Sequence, residues 1–133
     1  AQATTTTTVA EAAGSYNSAH EGSFASLIND HRSSNGLSAL SRDGTLDAEA
    51  RAWSKHMAEA GGLSHSDIGR FLPPWSTVGE NVGYGGTVTT IFNSLVASSG
   101  HNENMLNGSF TAFGIGVWVD ADGLIWTTHI FAG

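Results

Sequence analysis

The chain has 133 residues, of which 40% are hydrophobic and 13% are charged, and its formal net charge is −7 at pH 7. This length and composition indicate one globular domain with a single core. Five Lys and Arg residues against twelve Asp and Glu residues argue against nucleic acid as a partner, since binding it requires a basic surface. No apolar run is long enough to span a membrane. The chain has no Cys, which excludes disulfides, thiolate metal sites and a cysteine nucleophile.

Residues 1–22 are predicted to form a Thr-, Ala- and Ser-rich N-terminal tail or interaction segment, because they offer little apolar surface to offset the entropy of ordering. The start, Ala1-Gln2-Ala3, has the small-x-small form of a signal-peptidase site. We therefore interpret the chain as an exported protein, secreted or at the cell surface, whose signal peptide has been removed. The β-prone run from Thr4 to Val9 is able to add to a sheet edge, so a protein partner or self-assembly through the tail is one hypothesis.

Residues 23–133 are predicted to form the folded domain, and the first half of this domain is helical. A first helix begins with Ser23 as its N-cap and ends at Asn35-Gly36. A second helix begins near Asp43 and ends at Gly61-Gly62. The positions of the second helix expected to face the core are Leu46, Ala50, Trp53, Met57 and Ala60.

The second half of the domain mixes helices with strands. Its expected elements are an irregular stretch over 63–78, an extended piece over 80–84, a third helix over 88–96, a further helical turn over 101–106, and strands over 113–119 and 124–131. The segment Asp120-Ala121-Asp122-Gly123 is the turn that joins the last two strands. Helices beside a small antiparallel sheet, without a βαβ repeat, indicate the α+β class.

Three residues are candidates for one chemical site: His65, Glu80 and His101, each next to small residues. Two imidazoles and a carboxylate form a His₂Glu ligand set, which zinc accepts together with a water molecule. The alternative is a hydrogen-bonded His–Glu–His cluster that binds nothing tightly. No His-Glu-x-x-His motif is present, so a zincin-type protease has no support.

Other polar residues are assigned structural roles. Arg32 is expected to anchor the first helix through the carboxylate of Asp43 or Asp47. Asn81 is expected to bond backbone, because Asn suits special backbone geometry. His129, in the last strand, is expected to face the core or the wall of the cleft.

An ordered set of motifs resembles the CAP superfamily of cysteine-rich secretory proteins, antigen 5 and pathogenesis-related proteins, and most of all its small bacterial SCP-like extracellular domains. The motifs that carry the resemblance are Leu27-Ile28-Asn29-Asp30-His31-Arg32, Gly36-Leu37-Ser38-Ala39-Leu40, Leu63-Ser64-His65-Ser66, Gly79-Glu80-Asn81-Val82, Ser99-Gly100-His101 with Asn104-Met105-Leu106, and Phe113-Gly114-Ile115-Gly116-Val117. The match covers about residues 23–132 and leaves only the tail outside.

The resemblance implies a three-layer α-β-α sandwich with a central cleft that holds two His and two Glu in many members, often with a divalent metal such as Zn²⁺. His65, Glu80 and His101 fall on three of these four positions, while the segment Thr89–Leu95, where the fourth acid is expected, contains none. Three functions stay open. The first is an extracellular binding, interaction or assembly module. The second is a metal-dependent hydrolase or protease-like enzyme, with one of the three residues as general base if no metal is bound. The third is a protein that binds lipid or sterol.

Overall fold

The computed structural model describes residues 14–133. The Thr run and the rest of residues 1–13 lie outside the described residues, so the interaction role predicted for them stays a prediction. The elements are β1 (Gly14–Tyr16), α1 (Ser18–Ser34), β2 (Ser41–Arg42), α2 (Gly44–Ala60), a 3₁₀ turn (Ile68–Phe71), β3 (Val78–Gly85), α3 (Val88–Ala97), α4 (Ser99–Met105), β4 (Ala112–Asp120) and β5 (Ile125–Ala132). No helix within the described range combines the length and the apolar character needed to cross a membrane.

The sheet is built around the hairpin of β4 and β5, in which Phe113 pairs with Phe131. β3 lies antiparallel on the far side of β5, with Asn81 opposite His129. β1 and β2 both pair with the outer side of β4, one at each end of that strand. The sheet therefore has two outer edges, one along β4 that β1 and β2 partly cover, and one along β3.

Helices cover both faces of this sheet. On one face, Leu46 and Ala50 of α2 pack against Ile130 and Ala132 of β5. On the other face, α1, α3 and α4 contribute to a larger apolar cluster that includes Phe24, Ile28, Ile91, Leu95, Met105, Phe113, Ile115, Val117 and Phe131. Neighbouring residues of β4 alternate between the two faces, as a strand requires. The predicted α+β class and the three-layer α-β-α sandwich are both confirmed.

The contact between α2 and β4 is made by backbone. A Cβ atom added at Gly114 would lie 2.2 Å from the carbonyl carbon of Leu46, and one added at Gly116 would lie 2.2 Å from that of Ala50. Ser54, which is fully buried, donates from Oγ to the carbonyl of Gly116 at 3.0 Å. No side chain other than hydrogen fits at the two glycines, so the helix lies directly on the strand.

Carboxylates close the part of the β4 edge that lies between β1 and β2. The backbone N–H of Val117 donates to Oε2 of Glu21 at 3.1 Å, and that of Ile115 donates to Oδ1 of Asp47 at 2.9 Å. Glu21 is 1% exposed, and its Oε1 accepts from the guanidinium of Arg51 at 2.7 Å. One acidic side chain from each of α1 and α2 thus takes the place of a neighbouring strand.

The first helix begins at Ser18 rather than at Ser23, so the predicted start is wrong. Its N-cap is Asn17, whose side chain accepts from the N–H of His20 at 2.9 Å. Both Asn and Ser suit an N-cap. The burial of Glu21, which the local sequence does not reveal, holds the first turn of the longer helix against the sheet.

Arg32 anchors α1 through carbonyl groups, and the predicted partnership with a carboxylate is wrong. Its guanidinium donates to the carbonyls of Ser38 at 2.8 Å, Met105 at 3.0 Å and Asn107 at 3.0 Å. Burial lowers the pKa of Arg32 from its ordinary value. Backbone carbonyls satisfy a buried guanidinium because it carries five donors in a planar fork.

Candidate functional site

Glu80 is the buried centre of the candidate site, with a side chain that is 1% exposed. It lies on β3 opposite Ile130 and so points to the α2 face of the sheet. Its Oε1 accepts from Nδ1 of His65 at 2.8 Å and from the backbone N–H of Ser66 at 2.9 Å, and its Oε2 accepts from the hydroxyl of Ser66. Both oxygens of the buried carboxylate are therefore hydrogen-bonded by two consecutive residues, as burial demands.

The loop after α2 brings His65 to Glu80. α2 ends at Gly61, whose φ of 75° is the left-handed conformation that glycine adopts without strain. Nε1 of Trp53 then donates to the carbonyl of Ser64 at 2.8 Å and holds the loop against the helix. The side chain of His65 is 63% exposed. Because its Nδ1 is held by Glu80, Nε2 is the ring nitrogen left for solvent or a ligand.

His101 approaches the same region from α4, on the other face of the sheet. Its Nδ1 lies 2.8 Å from Oγ of Ser98. Burial, and then repulsion by His65, lowers the pKa of His101 below its ordinary value of 6.5. The ring is therefore neutral at pH 7. The second cause means that the two imidazoles are close enough for their charges to interact.

Two asparagines tie β3 to α4. Nδ2 of Asn81 donates to the carbonyl of His101 at 3.0 Å. Nδ2 of Asn104 donates to Oδ1 of Asn81 at 2.9 Å and to the carbonyl of Glu80 at 3.2 Å. The prediction that Asn81 bonds backbone is confirmed, and the network fixes the strand relative to the helix that carries His101.

The arrangement brings His65 and Glu80 into contact and places His101 across the edge of the sheet from them. No hydrogen bond between His101 and the Glu80 carboxylate occurs among residues 14–133, and in that range no three His, Asp or Glu side chains gather as a group able to hold a metal. The ring nitrogens that remain free are Nε2 of His65 and Nε2 of His101. Glu80 holds Nδ1 of His65 from behind, which is the way that carboxylates orient metal-binding histidines.

A groove of about 210 Å³ adjoins His101 along the edge of β3. Its lining is mainly apolar and comprises Leu63, Val82, Gly83, Tyr84, Ile91, Ser94, Leu95, Ser98 and His101. Leu63 and Tyr84 are two of the exposed large apolar side chains of the described domain, at 45% and 53% exposure. A ligand at the cleft would thus meet imidazole nitrogens beside an apolar wall.

His129 lies in the core behind the cleft and is fully buried. Its Nε2 lies 3.0 Å from Oγ1 of Thr127, and its ring packs on Phe24 with 4.8 Å between centroids. Nδ1 has no hydrogen-bond partner among the described residues. Burial, and then the charges of His101 and Arg42, lowers the pKa of His129 to about 3. The expectation that it faces the core is confirmed, and the ring is neutral at physiological pH.

The sequence did not reveal the donors that organise the site. Ser66 supplies two of the three hydrogen bonds to the Glu80 carboxylate, and no sequence motif indicates this contact. The same holds for Ser98, the partner of His101 Nδ1. A Ser close to each of the two histidines is the only local signal for these contacts, and it is weak, because the contacts depend on how the loops fold.

The sequence matches a known family over most of its length. The profile of the cysteine-rich secretory protein family, CAP, matches residues 25–130. The protein YkwD of Bacillus subtilis (strain 168) is 34% identical in an alignment that covers 96% of this chain and 51% of that protein. The chain thus spans about half the length of that curated relative.

Two solved structures share the fold. An outer surface protein from Borrelia burgdorferi superposes with a TM-score of 0.79 at 18% identity, over 90% of this chain and 97% of that one. An extracellular protein containing a SCP domain from Bacillus anthracis (strain Ames) superposes with a TM-score of 0.75 at 24% identity, over 86% of this chain and 40% of that one. With the profile match across most of its length, this chain, although it lacks Cys, belongs to the CAP, or cysteine-rich secretory protein, family.

Proposed function

We propose that the chain acts as an extracellular binding module, whose protein partner lies against the cleft formed by His65, Glu80 and His101. The observation that supports this proposal most directly is the hydrogen bonding of the Glu80 carboxylate. Both of its oxygens already accept hydrogen bonds from His65 and Ser66, so its role is to hold the loop to the strand. The likeness to proteins named as extracellular or outer surface supports a location outside the cell.

The two imidazoles supply the polar part of the binding surface. A neutral His101 has one donor and one acceptor nitrogen, and its Nδ1 is engaged by Ser98. His65 is exposed and also keeps one ring nitrogen free. The two free ring nitrogens can form hydrogen bonds with amide or hydroxyl groups, and the groove beside them can bind apolar side chains. A polypeptide carries both kinds of group.

A selection from a phage-displayed library of random linear peptides against the full chain tests this proposal. Selected peptides should bind the wild type, stay intact during incubation, and bind His101→Ala about tenfold more weakly, the cost of one lost hydrogen bond and its packing. His56→Ala, at an exposed histidine outside the cleft, is the matched control. Equal binding by both variants, or cleavage of the selected peptides, contradicts the proposal.

A metal-dependent hydrolase is the second candidate, favoured by the free Nε2 atoms of His65 and His101. These two nitrogens would hold the ion, and Glu80 would orient His65. When bound, Zn²⁺ lowers the pKa of its water ligand and polarises a carbonyl group. Elemental analysis of the purified chain should then give one zinc per chain, and calorimetric zinc binding should vanish in His65→Ala. Absence of zinc binding by the wild type removes this candidate.

Lipid binding is the third candidate, and a second, larger groove favours it. This groove, of about 860 Å³, lies between α1 and the start of α3 and includes the apolar side chains Leu27, Val88, Val119 and Ile125. A fluorescent fatty acid should bind the wild type and lose affinity for Leu27→Asp, whereas Leu63→Asp, in the other groove, should bind as the wild type does. An equal loss of fatty-acid affinity in the two variants, or no binding by the wild type, contradicts this candidate.

A further inference from the structure

The outer edge of β3 suggests how a protein partner is held. We propose that an extended peptide segment of the partner adds to this edge at Val82–Tyr84 as a further strand, next to His101. The proposal rests on the binding function proposed above and names the class of ligand and its mode of attachment. It depends on three observations: the direction of the backbone groups of β3, the absence of partners for them among residues 14–133, and the walls of the groove.

The direction of the backbone groups follows from the register. Thr77 and Gly133 exchange two backbone hydrogen bonds, each of 3.0 Å, so they form a hydrogen-bonded pair of the antiparallel ladder. Such pairs alternate along two antiparallel strands. With the observed register, residues 79, 81, 83 and 85 direct their N–H and C=O groups to β5, and residues 80, 82 and 84 direct theirs outward. The outward carbonyl of Glu80 confirms this, because Asn104 reaches it from outside the sheet.

Among the described residues, only one outward group of β3, the carbonyl of Glu80, has a hydrogen-bond partner. Asn104 covers the carbonyl of Glu80. Within the described range, no strand pairs with the edge at Val82 and Tyr84, and no hydrogen bond from any residue in 14–133 reaches their outward N–H and C=O groups. Unpaired donors and acceptors in this alternating order are complementary to the backbone of another extended chain.

The groove of about 210 Å³ runs over this uncovered part of the edge. Leu63 forms one wall, from the loop on the α2 side of the sheet. Ser94 and His101 belong to the opposite wall, on the side of α3 and α4. Soluble proteins protect sheet edges with charged residues, Pro or covering elements, but here an exposed Leu63 and an exposed Tyr84 flank the edge.

The two walls decide which kind of strand fits. A second copy of the chain would bring its own Leu63, Ser94 and His101 beside its β3, whereas a single extended peptide brings no such walls. Each copy also carries a net charge of −7, which disfavours self-association. A single extended peptide enters between the walls, and its side chains alternate between Leu63 on one side and Ser94 with His101 on the other.

The test compares Tyr84→Pro with Tyr84→Ala in binding to the peptides selected by phage display on the full chain. Both variants lose the ring that stacks on Trp126, but only Pro lacks the outward N–H. That N–H is not part of the ladder with β5, and Pro is tolerated on an edge strand at such a position. We expect the peptides to bind Tyr84→Pro about tenfold more weakly than Tyr84→Ala, as the loss of a backbone hydrogen bond requires.

Amide hydrogen exchange of the wild type with the same peptides is the second measurement, and it decides the matter if Tyr84→Pro does not fold. The N–H groups of Val82 and Tyr84 should gain protection when peptide binds, and that of Gly83 should change little because it already pairs with β5. Equal affinity of the two variants, or unchanged exchange at Val82 and Tyr84, overturns strand addition. If His101→Ala still weakens binding in that case, the cleft binds peptide in another way and the proposed function stands.

Discussion

The two outer edges of the sheet differ in how many of their outward backbone groups have hydrogen-bond partners. Along β4, short strands pair with both ends, and Glu21 and Asp47 accept the N–H groups of the residues between them. Along β3, one asparagine covers the carbonyl of Glu80, and the next two outward positions have no neighbouring strand in the described part of the chain. The same sheet thus has one sealed edge, made by structural residues, and one partly open edge, which lies at the candidate site.

This difference suggests that the β4 edge serves the stability of the domain and the β3 edge serves binding. A sealed edge stabilises the domain because its polar groups are paired inside the protein. An open edge contributes less to stability and is available for pairing with another chain. Substitutions at the two edges should therefore differ in what they change, and three measurements test this.

The largest loss of stability is expected at the sealed edge. Glu21→Ala leaves the N–H of Val117 without its acceptor and removes the partner of Arg51, so the free energy of unfolding should fall by about 3 kcal/mol. Arg51 is partly exposed, which keeps the cost below that of a completely buried charge. Urea unfolding followed by circular dichroism measures the loss. Glu103→Ala, at an exposed position of α4, should change stability by less than about 0.5 kcal/mol; equal effects would show that the edge is not sealed by Glu21.

A smaller loss of stability, which occurs only at acidic pH, is expected from His129 on β5, the strand between the two edges. Its pKa of about 3 in the folded chain is below its ordinary value, so the unfolded chain binds the extra proton. Stability from this group is complete above about pH 6.5 and is lost as the pH falls toward 3, by about 2 kcal/mol at pH 5.

His129→Gln should remove this part of the pH dependence, because Gln does not titrate. Unfolding measured at pH 7 and pH 5 gives the difference for each variant. His56→Gln, at an exposed histidine, should keep the dependence of the wild type. If His129→Gln loses as much stability between pH 7 and pH 5 as the wild type does, another group takes up the proton on unfolding.

The smallest effect is expected near the open edge. Ser66→Ala removes one hydroxyl bond to the Glu80 carboxylate and leaves the backbone bond in place, so the loss should be about 1 kcal/mol. Ser64→Ala is the matched control, since Ser64 contributes its carbonyl to the loop rather than its side chain. A loss at position 66 as large as that for Glu21→Ala would contradict the contrast between the edges.

Local patterns predicted much of the fold. The end of α2 at Gly61 and the turn after Asp120 follow from residues with special backbone conformations. The start of α1 did not follow, because it depends on the ion pair between Glu21 and Arg51, residues distant in sequence. The partners of Arg32 are carbonyls of other segments, which no local pattern reveals.

The site was predicted in part for a similar reason. The ordered motifs of the family picked out His65, Glu80 and His101, and the contact of His65 with Glu80 is present. The catalytic and metal roles assigned to them stay predictions. The sequence does not reveal the role of Ser66, because a Ser beside a His does not indicate which carboxylate the folded loop brings to it.

The glycines of β4 have a consequence for motion. Because Gly114 and Gly116 leave no space between the main chains of α2 and β4, α2 has no room to move closer to the sheet. The loop that carries His65 therefore begins at the end of a helix that is packed directly against the sheet. The helix α4, which carries His101, is held to β3 by the side-chain hydrogen bonds of Asn81 and Asn104 instead, so the two histidines reach the cleft from supports of different kinds.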